Sequence, residues 1–311
     1  MGAQLDAARI GWLGVGNMGA PLLQRLLDAG HRVVAFDPRA DAQQALHAAS
    51  GEAVRAASVT EVALHSDVVF LSLPSIEAMR EAVGELVRDG AARVRLVVNT
   101  GTTGASLSHE LAPLLESRGA HLVDAPVSGG PEAARAGVLS VMASGRAQDI
   151  EQLRPLFALW GPNLTIAGES PGAAQTLKLV NNAVIVAAYV ATLEAFLFGA
   201  KAGLDPQVML GAMNAGRLAP NGTTRVWLPD YILRDKAFGA QLHLLMKDMG
   251  LALSESESQH APLRVSQAAL EAARQACGPA LDEHADLMDL MKAMESRAGF
   301  RVARTPAGPT Q

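Results

Sequence analysis

Cysteine is almost absent from this sequence, which has only Cys277 among its 311 residues. A single thiol excludes an internal disulfide framework and leaves no cysteine cluster that would bind a metal. We therefore expect a protein without structural disulfides and without a metal site.

Basic segments are missing as well. The chain has 26 Lys and Arg residues against 31 Asp and Glu residues, which gives a formal net charge of −5. Binding to nucleic acid or to an anionic membrane surface usually depends on clustered positive charge. We expect neither as a partner.

Long uninterrupted apolar runs are also lacking. The most apolar run, residues 183–193, is eleven residues long, whereas a membrane span needs about 20. The N-terminal stretch MGAQLDAARIGWLGVG has no basic segment before an apolar core, and Gly2 lacks the downstream Ser or Thr of a myristoylation signal. These features predict a cytoplasmic protein.

The first half of the chain alternates β-branched runs with helical stretches. The runs RIGWLGV, HRVVAF, DVVFLSL, VRLVVNT and AHLVDAP have the composition of buried strands. Near-continuous apolar strands separated by helices are typical of a parallel sheet that is covered on both faces. We predict an α/β domain of this kind over residues 1–170.

The second half has a different pattern. A candidate helix of roughly thirty residues begins near Gly172 and ends before Gly203, with Pro206 beyond it. The remainder is rich in Met, Leu and Ala at helical spacing, which predicts an all-α domain over residues 171–300. The segment 301–311, which contains RTPAGPTQ, is predicted to be a flexible tail.

A glycine motif follows the first predicted strand. Gly14, Gly16 and Gly19 form G-x-G-x-x-G, and Asp37 ends the next predicted strand. In dinucleotide-binding domains these glycines allow a tight turn, the approach of a pyrophosphate and close helix packing. Asp37 would accept hydrogen bonds from the adenosine ribose and so favour NAD. Arg39 points either to solvent or to a 2′-phosphate, which would favour NADP.

A second glycine cluster lies in DAPVSGGPEAARAG. Ser128, Gly129 and Gly130 follow a predicted strand, where a hydroxyl and backbone amides can bind a small anion. The alternative is an ordinary glycine-rich turn. The segments SLP and NTGTT also follow predicted strands and are expected to border the same crevice.

One lysine stands alone in the segment GAAQTLKLVNN. Lys178 lies among small, apolar and amide residues, with Gln175 one helical turn before it and Asn182 one turn after it. One interpretation is a lysine whose stem covers apolar surface while its head reaches water. The other is a lysine that exchanges a proton with a substrate hydroxyl.

Four motifs in order resemble the β-hydroxyacid dehydrogenase family. The resemblance rests on GVGNMGAPLLQRLL, DAPVSGGPEAARAG, KLVNN and LLMKDMGLAL, which together extend over nearly the whole chain. It implies a Rossmann-type N-terminal domain joined by a long helix to an all-α domain, the architecture of 6-phosphogluconate dehydrogenase. It also implies hydride transfer between NAD or NADP and a small β-hydroxy acid or semialdehyde, such as 3-hydroxyisobutyrate or tartronate semialdehyde.

The resemblance also implies roles for individual residues. Lys178 would be the general acid and base, with Asn182 as its companion, and Ser128, Gly129 and Gly130 would hold the substrate carboxylate. The cofactor would be bound by the following residues: Gly14, Gly16, Asn17, Met18, Gly19, Asp37, Leu73, Pro74, Thr102 and, from the second domain, Lys247.

Two other functions compete with this one. Imine reductases share the overall pattern, but they usually lack the lysine and often carry Asn-Arg where this chain has Asp37-Pro38-Arg39. A non-catalytic nucleotide-binding module would not need Lys178 and Asn182.

Because the predicted long helix is apolar nearly all round after Asn182, we also expect a homodimer or homotetramer.

Overall fold

The computed structural model describes residues 9–42, 53–88, 93–217, 221–234, 236–278, 282 and 285–302. The chain divides into two compact units, one up to Lys178 and one from Leu179. This division falls inside the long helix, whereas the sequence places it at residues 170 and 171. The predicted tail segment RTPAGPTQ lies outside the described residues.

Nine strands of the described chain form one sheet in the first unit. They are β1 (Ile10–Leu13), β2 (Val33–Phe36), β3 (Ala53–Arg55), β4 (Val68–Leu71), β5 (Leu96–Asn99), β6 (His121–Asp124), β7 (Val127–Ser128), β8 (Ser140–Ser144) and β9 (Asn163–Gly168). The order is β3-β2-β1-β4-β5-β6-β8-β7, with β9 paired to β8. The five predicted strands are β1, β2, β4, β5 and β6, and their parallel pairing confirms the predicted sheet.

Helices cover both faces of this sheet. They are α1 (Gly19–Asp28), α2 (Val59–Leu64), α3 (Ile76–Arg88), α4 (Ala105–Glu116), α5 (Gly130–Ala136) and α6 (Ala147–Trp160). Successive strand residues enter opposite cores: Trp12 packs with Trp160 on one face, while Leu13 belongs to the core on the other face. Both faces are therefore buried, which explains why the strands are apolar without alternation.

The strand order reverses between β1 and β4. From β1 the chain proceeds to β2 and β3 on one side, and from β4 to β5 and β6 on the other. Loops at the carboxyl ends of such neighbouring strands diverge and leave a crevice, which is where open α/β sheets bind ligands. The predicted cofactor loop follows β1, and the SLP segment follows β4.

The second unit is helical in its described part, as predicted. It contains most of the long helix α7 (Ala173–Lys201), followed by α8 (Pro206–Ala215), a π-helical turn (Thr223–Trp227), α9 (Leu228–Arg234), α10 (Leu242–Ser258), α11 (Arg264–Cys277) and α12 (Asp289–Arg297). Tyr189, Leu193 and Phe196 of α7 are buried in its core. The long helix thus supplies one apolar face to this unit.

Among the described residues, α7 is long and apolar enough to cross a membrane by length and composition alone, with a mean hydropathy of 2.0 in its most apolar window. The eleven-residue apolar run in the sequence is therefore only part of a longer apolar helix. Length and composition do not separate a membrane span from the core helix of a soluble protein. Half of that window is buried inside the protein.

Candidate active site

The glycine-rich loop follows β1 and begins α1. Gly14 has a φ of 91°, and a Cβ there would lie 2.3 Å from the carbonyl oxygen of Ser72. A Cβ on Gly19 would lie 2.1 Å from the carbonyl oxygen of Gly14, whereas a Cβ on Gly16 would meet only Nη2 of Arg39 at 3.8 Å. The first and third glycines are therefore required by packing, and the second leaves an open surface.

That open surface adjoins the N-terminus of α1. Within the described chain, no side chain caps this helix and no acidic residue lies in its first turn. The backbone amides and the positive end of the helix dipole are suited to an anion. This arrangement fits the pyrophosphate of a dinucleotide, which Asn17 and Met18 of the same loop would border.

Asp37 is a buried carboxylate directly after β2. It accepts hydrogen bonds from the backbone N–H of Val15 at 2.7 Å and of Arg39 at 2.9 Å. The guanidinium of Arg39 contacts both oxygens, at 3.1 and 3.2 Å. Burial alone raises the pKa of Asp37, but the hydrogen bonds from Arg39 and Val15 outweigh it and lower the pKa. Arg39 is thus paired with Asp37, while its side chain remains 54% exposed to solvent.

The loops after β4 and β5 pack beside the glycine loop. Leu73 Cδ2 would lie 3.0 Å from a Cβ on Gly14, and a Cβ on Gly101 would lie 3.4 Å from the carbonyl oxygen of Leu73. Pro74 follows Leu73 in the first of these loops, and Thr102 follows Gly101 in the second. The structure therefore brings the segments predicted to line the dinucleotide to one edge of the sheet.

Ser128 ends β7, and the two glycines after it begin α5. Gly129 has a φ of 138°, and a Cβ there would lie 2.8 Å from Leu139 Cδ2 and 2.9 Å from Ala133 Cβ. Local packing therefore accounts for Gly129 without a ligand. Ser128, at the end of the strand, is half-buried.

Asp124 was not identified from the sequence as a site residue. It ends β6 and is completely buried. Its Oδ1 accepts hydrogen bonds from Ser108 Oγ at 2.9 Å, Gln175 Nε2 at 3.2 Å and Asn99 Nδ2 at 3.3 Å, and its Oδ2 accepts one from the N–H of Gly172 at 2.6 Å. Burial raises the pKa of Asp124, and these four hydrogen bonds oppose the rise.

Gln175 extends this network into the loop after β5. Its Oε1 accepts the N–H of Thr103 at 3.0 Å, and its Nε2 also donates to the carbonyl of Gly101 at 3.0 Å. Lys178 follows Gln175 by three residues on α7 and is only 8% exposed. That burial argues against a lysine whose head is held in bulk water.

In the second unit, Asn182 is held from both ends of its amide. Its Nδ2 donates to Asp248 Oδ2 at 2.9 Å, and its Oδ1 accepts from Asn181 Nδ2 at 3.2 Å. Lys247 Nζ lies 3.2 Å from Asp248 Oδ1. Asp248 was also missed in the sequence, where the only signal was its place beside Lys247 in LLMKDMGLAL.

Over the described residues, no group of three His, Cys, Asp or Glu is arranged to hold a metal ion.

Two family models match this chain. Residues 9–168 match the NAD binding domain of 6-phosphogluconate dehydrogenase. Residues 172–294 match the NAD-binding domain of NADP-dependent 3-hydroxyisobutyrate dehydrogenase. Together with the glycine loop and Asp37, they define a nicotinamide dinucleotide-binding protein.

Similar proteins narrow the class. A 3-hydroxyisobutyrate dehydrogenase of Pseudomonas aeruginosa is 35% identical over 265 residues, with 81% of this chain and 86% of that protein covered. A 2-hydroxy-3-oxopropionate reductase of Escherichia coli is 33% identical, with 80% and 85% covered. The solved 3-hydroxyisobutyrate dehydrogenase of Mycobacterium tuberculosis with L-serine has a TM-score of 0.81 at 28% identity, with 93% and 99% covered. The chain belongs to the β-hydroxyacid dehydrogenase family.

Two further structures bear on the cofactor and on the competing function. Psf3 in complex with NADP+ and 2-OPP has a TM-score of 0.79 at 26% identity, with 92% of this chain and 99% of that chain covered. An imine reductase of Streptomyces aurantiacus has a TM-score of 0.63 at 19% identity over the same shares. At that identity the imine reductase shares the fold alone, so the imine reductases are the more distant relatives.

Proposed function

We propose that this protein is a dehydrogenase that uses NAD or NADP to interconvert a small β-hydroxy acid and the corresponding semialdehyde. Candidate substrates are 3-hydroxyisobutyrate and tartronate semialdehyde. The similar proteins are named 3-hydroxyisobutyrate dehydrogenase and 2-hydroxy-3-oxopropionate reductase, which supports these two. The observation that carries the proposal is the burial of Lys178, one helical turn after Gln175. Gln175 is itself hydrogen-bonded to the loop after β5, at the ligand-binding edge of the sheet.

The residues at the sheet edge fit a nicotinamide dinucleotide. Gly16 leaves room for the pyrophosphate, the first amides of α1 face it, and Asp37 can accept the adenosine ribose hydroxyls. When bound, the nicotinamide accepts or supplies the hydride. The role of Lys247 toward the cofactor stays a prediction.

Lys178 carries the proton chemistry in this proposal. When a hydride leaves the carbinol carbon, the hydroxyl proton must leave as well, and a neutral amine can accept it. In the reverse direction the ammonium returns the proton to the developing alkoxide. Asn182 does not titrate, so we assign it to positioning.

Ser128 and the following glycines are proposed to hold the substrate carboxylate. A hydroxyl that donates to a carboxylate forms a charge-assisted hydrogen bond. The half-buried position of Ser128 at the end of β7 supports this assignment. The positive-φ backbone at Gly129 and Gly130 supports it less, because packing already explains Gly129.

We further propose that the protein is a cytoplasmic homo-oligomer. Val180, Val184 and Phe198 on α7 are 56, 66 and 75% exposed, and exposed apolar side chains that follow one helix are typical of an interface. A second copy of this chain is the proposed occupant. The single cysteine, Cys277, which is not part of a disulfide, is compatible with a reducing compartment.

The Asp37 carboxylate predicts the cofactor preference. It can accept the ribose hydroxyls of NAD and would repel a 2′-phosphate, so kcat/KM with NAD(H) should exceed that with NADP(H). Asp37→Ala should narrow the difference, because it also releases Arg39 from its ion pair. Wild-type enzyme that uses NADPH as well as or better than NADH would show that Arg39 dominates the choice.

Ser128→Ala tests the carboxylate site. The variant should raise KM for the acid by roughly one to two orders of magnitude, as expected for the loss of a hydrogen bond to a charged group worth about 1.5–3 kcal/mol. KM for the cofactor should stay the same and serves as the internal control. An unchanged KM for the acid would place the carboxylate elsewhere.

Lys178→Ala tests the proton carrier. It should lower kcat by on the order of 10²–10⁴, the range for positioned acid–base catalysis, while the Kd of NAD changes little. Lys178→Arg should fail as well, because a guanidinium keeps its proton at working pH. Asn182→Ala should lower kcat by a smaller factor than either Lys178 variant. A folded Lys178→Ala protein with near-wild-type kcat would make this lysine a structural one.

The exposed face of α7 predicts self-association. Light scattering at micromolar concentration should give at least a dimer, and Val184→Glu should lower the mass because a charge would be buried at the interface. Val265→Glu, at an exposed apolar position on α11, is the matched control and should leave the mass unchanged. A monomeric wild-type protein would contradict the proposal.

A further inference from the structure

Two strand ends and one loop of the first unit are hydrogen-bonded to the beginning of α7. Asp124, at the end of β6, accepts the N–H of Gly172, and Ser144, at the end of β8, accepts the N–H of Ala174 at 2.9 Å. Gln175 joins the same turn to the loop after β5. All of these polar groups lie in the buried part of the protein.

These contacts supply what a helix terminus lacks. The first N–H groups of a helix have no partner within the helix, and here strand-end side chains accept two of them. A carboxylate is also favourable beside the positive end of a helix dipole. The start of α7 is therefore held both in rotation and along its axis by groups that belong to the sheet.

We propose that Asp124 is a positioning residue for catalysis: through Gly172 and Gln175 it fixes the first turns of α7 and thereby the placement of the Lys178 amine. This inference rests on the proposed role of Lys178. Gln175 and Lys178 are three residues apart, so they lie on neighbouring turns of one face. A displacement of the first turn is transmitted directly to Lys178 because the helix is continuous.

The network requires an acceptor-only side chain at position 124. Ser108, Asn99, Gln175 and Gly172 all donate to Asp124, and an ionised carboxylate can accept from all four. An asparagine of the same shape could keep the three donors on one oxygen only by turning its NH₂ group toward the N–H of Gly172. The contact that is lost is then the one to the N–H of Gly172, at the start of the helix.

Asp124→Asn is therefore the informative variant. A misplacement of about 1 Å can cost 10²-fold in rate, so we expect the hydride-transfer rate constant in a single turnover to fall by roughly 10- to 100-fold. The amplitude of that turnover, which counts active sites, should be unchanged, and so should the Kd of the cofactor. A purely structural role predicts the opposite result, a reduced amplitude with an unchanged rate constant, and this would overturn the proposal.

Asp149→Asn is the matched control. Asp149 is also a buried aspartate, but it lies 3.1 Å from Nδ1 of His121, at the amino end of the same strand β6. Its loss should leave both the rate constant and the amplitude of the single turnover unchanged. An equal fall in rate in both variants would show that the loss of any buried charge beside β6 has this effect, and would contradict a specific role for Asp124.

Gln175→Met provides a second test that keeps the Asp124 carboxylate. If both residues act through one network, the Asp124→Asn/Gln175→Met double variant should be about as slow as the slower single variant. Multiplicative losses in rate would mean that the two residues act independently. If Asp124→Asn does not fold, the rate constant and amplitude of Gln175→Met decide the question by the same criterion.

Hydrogen exchange separates this proposal from the proposed function. Peptides from residues 172–182 should exchange faster in Asp124→Asn than in wild type or Asp149→Asn, a result that requires no substrate. Unchanged exchange would refute the anchoring itself. Faster exchange in Asp124→Asn, together with a wild-type protein that shows no dehydrogenase turnover, would support the anchor and reject the proposed function.

Discussion

The hydrogen bonds of the Asp124 carboxylate join the sheet to the helix that carries Lys178. Sheet strands supply the cofactor loop after β1, the acid after β2 and the flanking loops after β4 and β5, all at one edge because these strands are parallel. In the proposed function the proton carrier, Lys178, lies on this helix, so its distance from that edge must be fixed. Asp124, Gln175 and Ser144 form the hydrogen bonds that we propose as this constraint.

Such a constraint has a cost in stability. Four polar side chains occupy this buried region, those of Asp124, Asn99, Gln175 and Lys178. A buried polar group is tolerated only when its hydrogen bonds are made. The neighbouring core offsets this cost with large aromatic contacts, such as the edge-to-face packing of Trp12 and Phe70 on Trp160 at 6.1 and 5.4 Å. The fold thus separates a polar edge from an apolar interior.

Much of this arrangement could be predicted from the sequence, because it depends on local patterns. Gly14, Gly16 and Gly19 lie within six residues, and the apolar strands and the long helix are continuous segments. Asp124 could not be found in this way, since its partners Ser108 and Gln175 lie 16 and 51 residues away. The short strands β3 and β7 also depend on pairing with other strands, which local composition does not encode.

The central claim is that the chain moves a hydride from the carbinol carbon of a β-hydroxy acid to a nicotinamide. The most direct measurement uses 3-hydroxyisobutyrate or glycerate deuterated at C3, the carbon that becomes the aldehyde, with NAD or NADP, and follows the label by mass spectrometry. The account predicts that deuterium appears in the reduced cofactor in proportion to semialdehyde formed. Product formation with the label in water, or no label transfer from either acid with either cofactor, would contradict it.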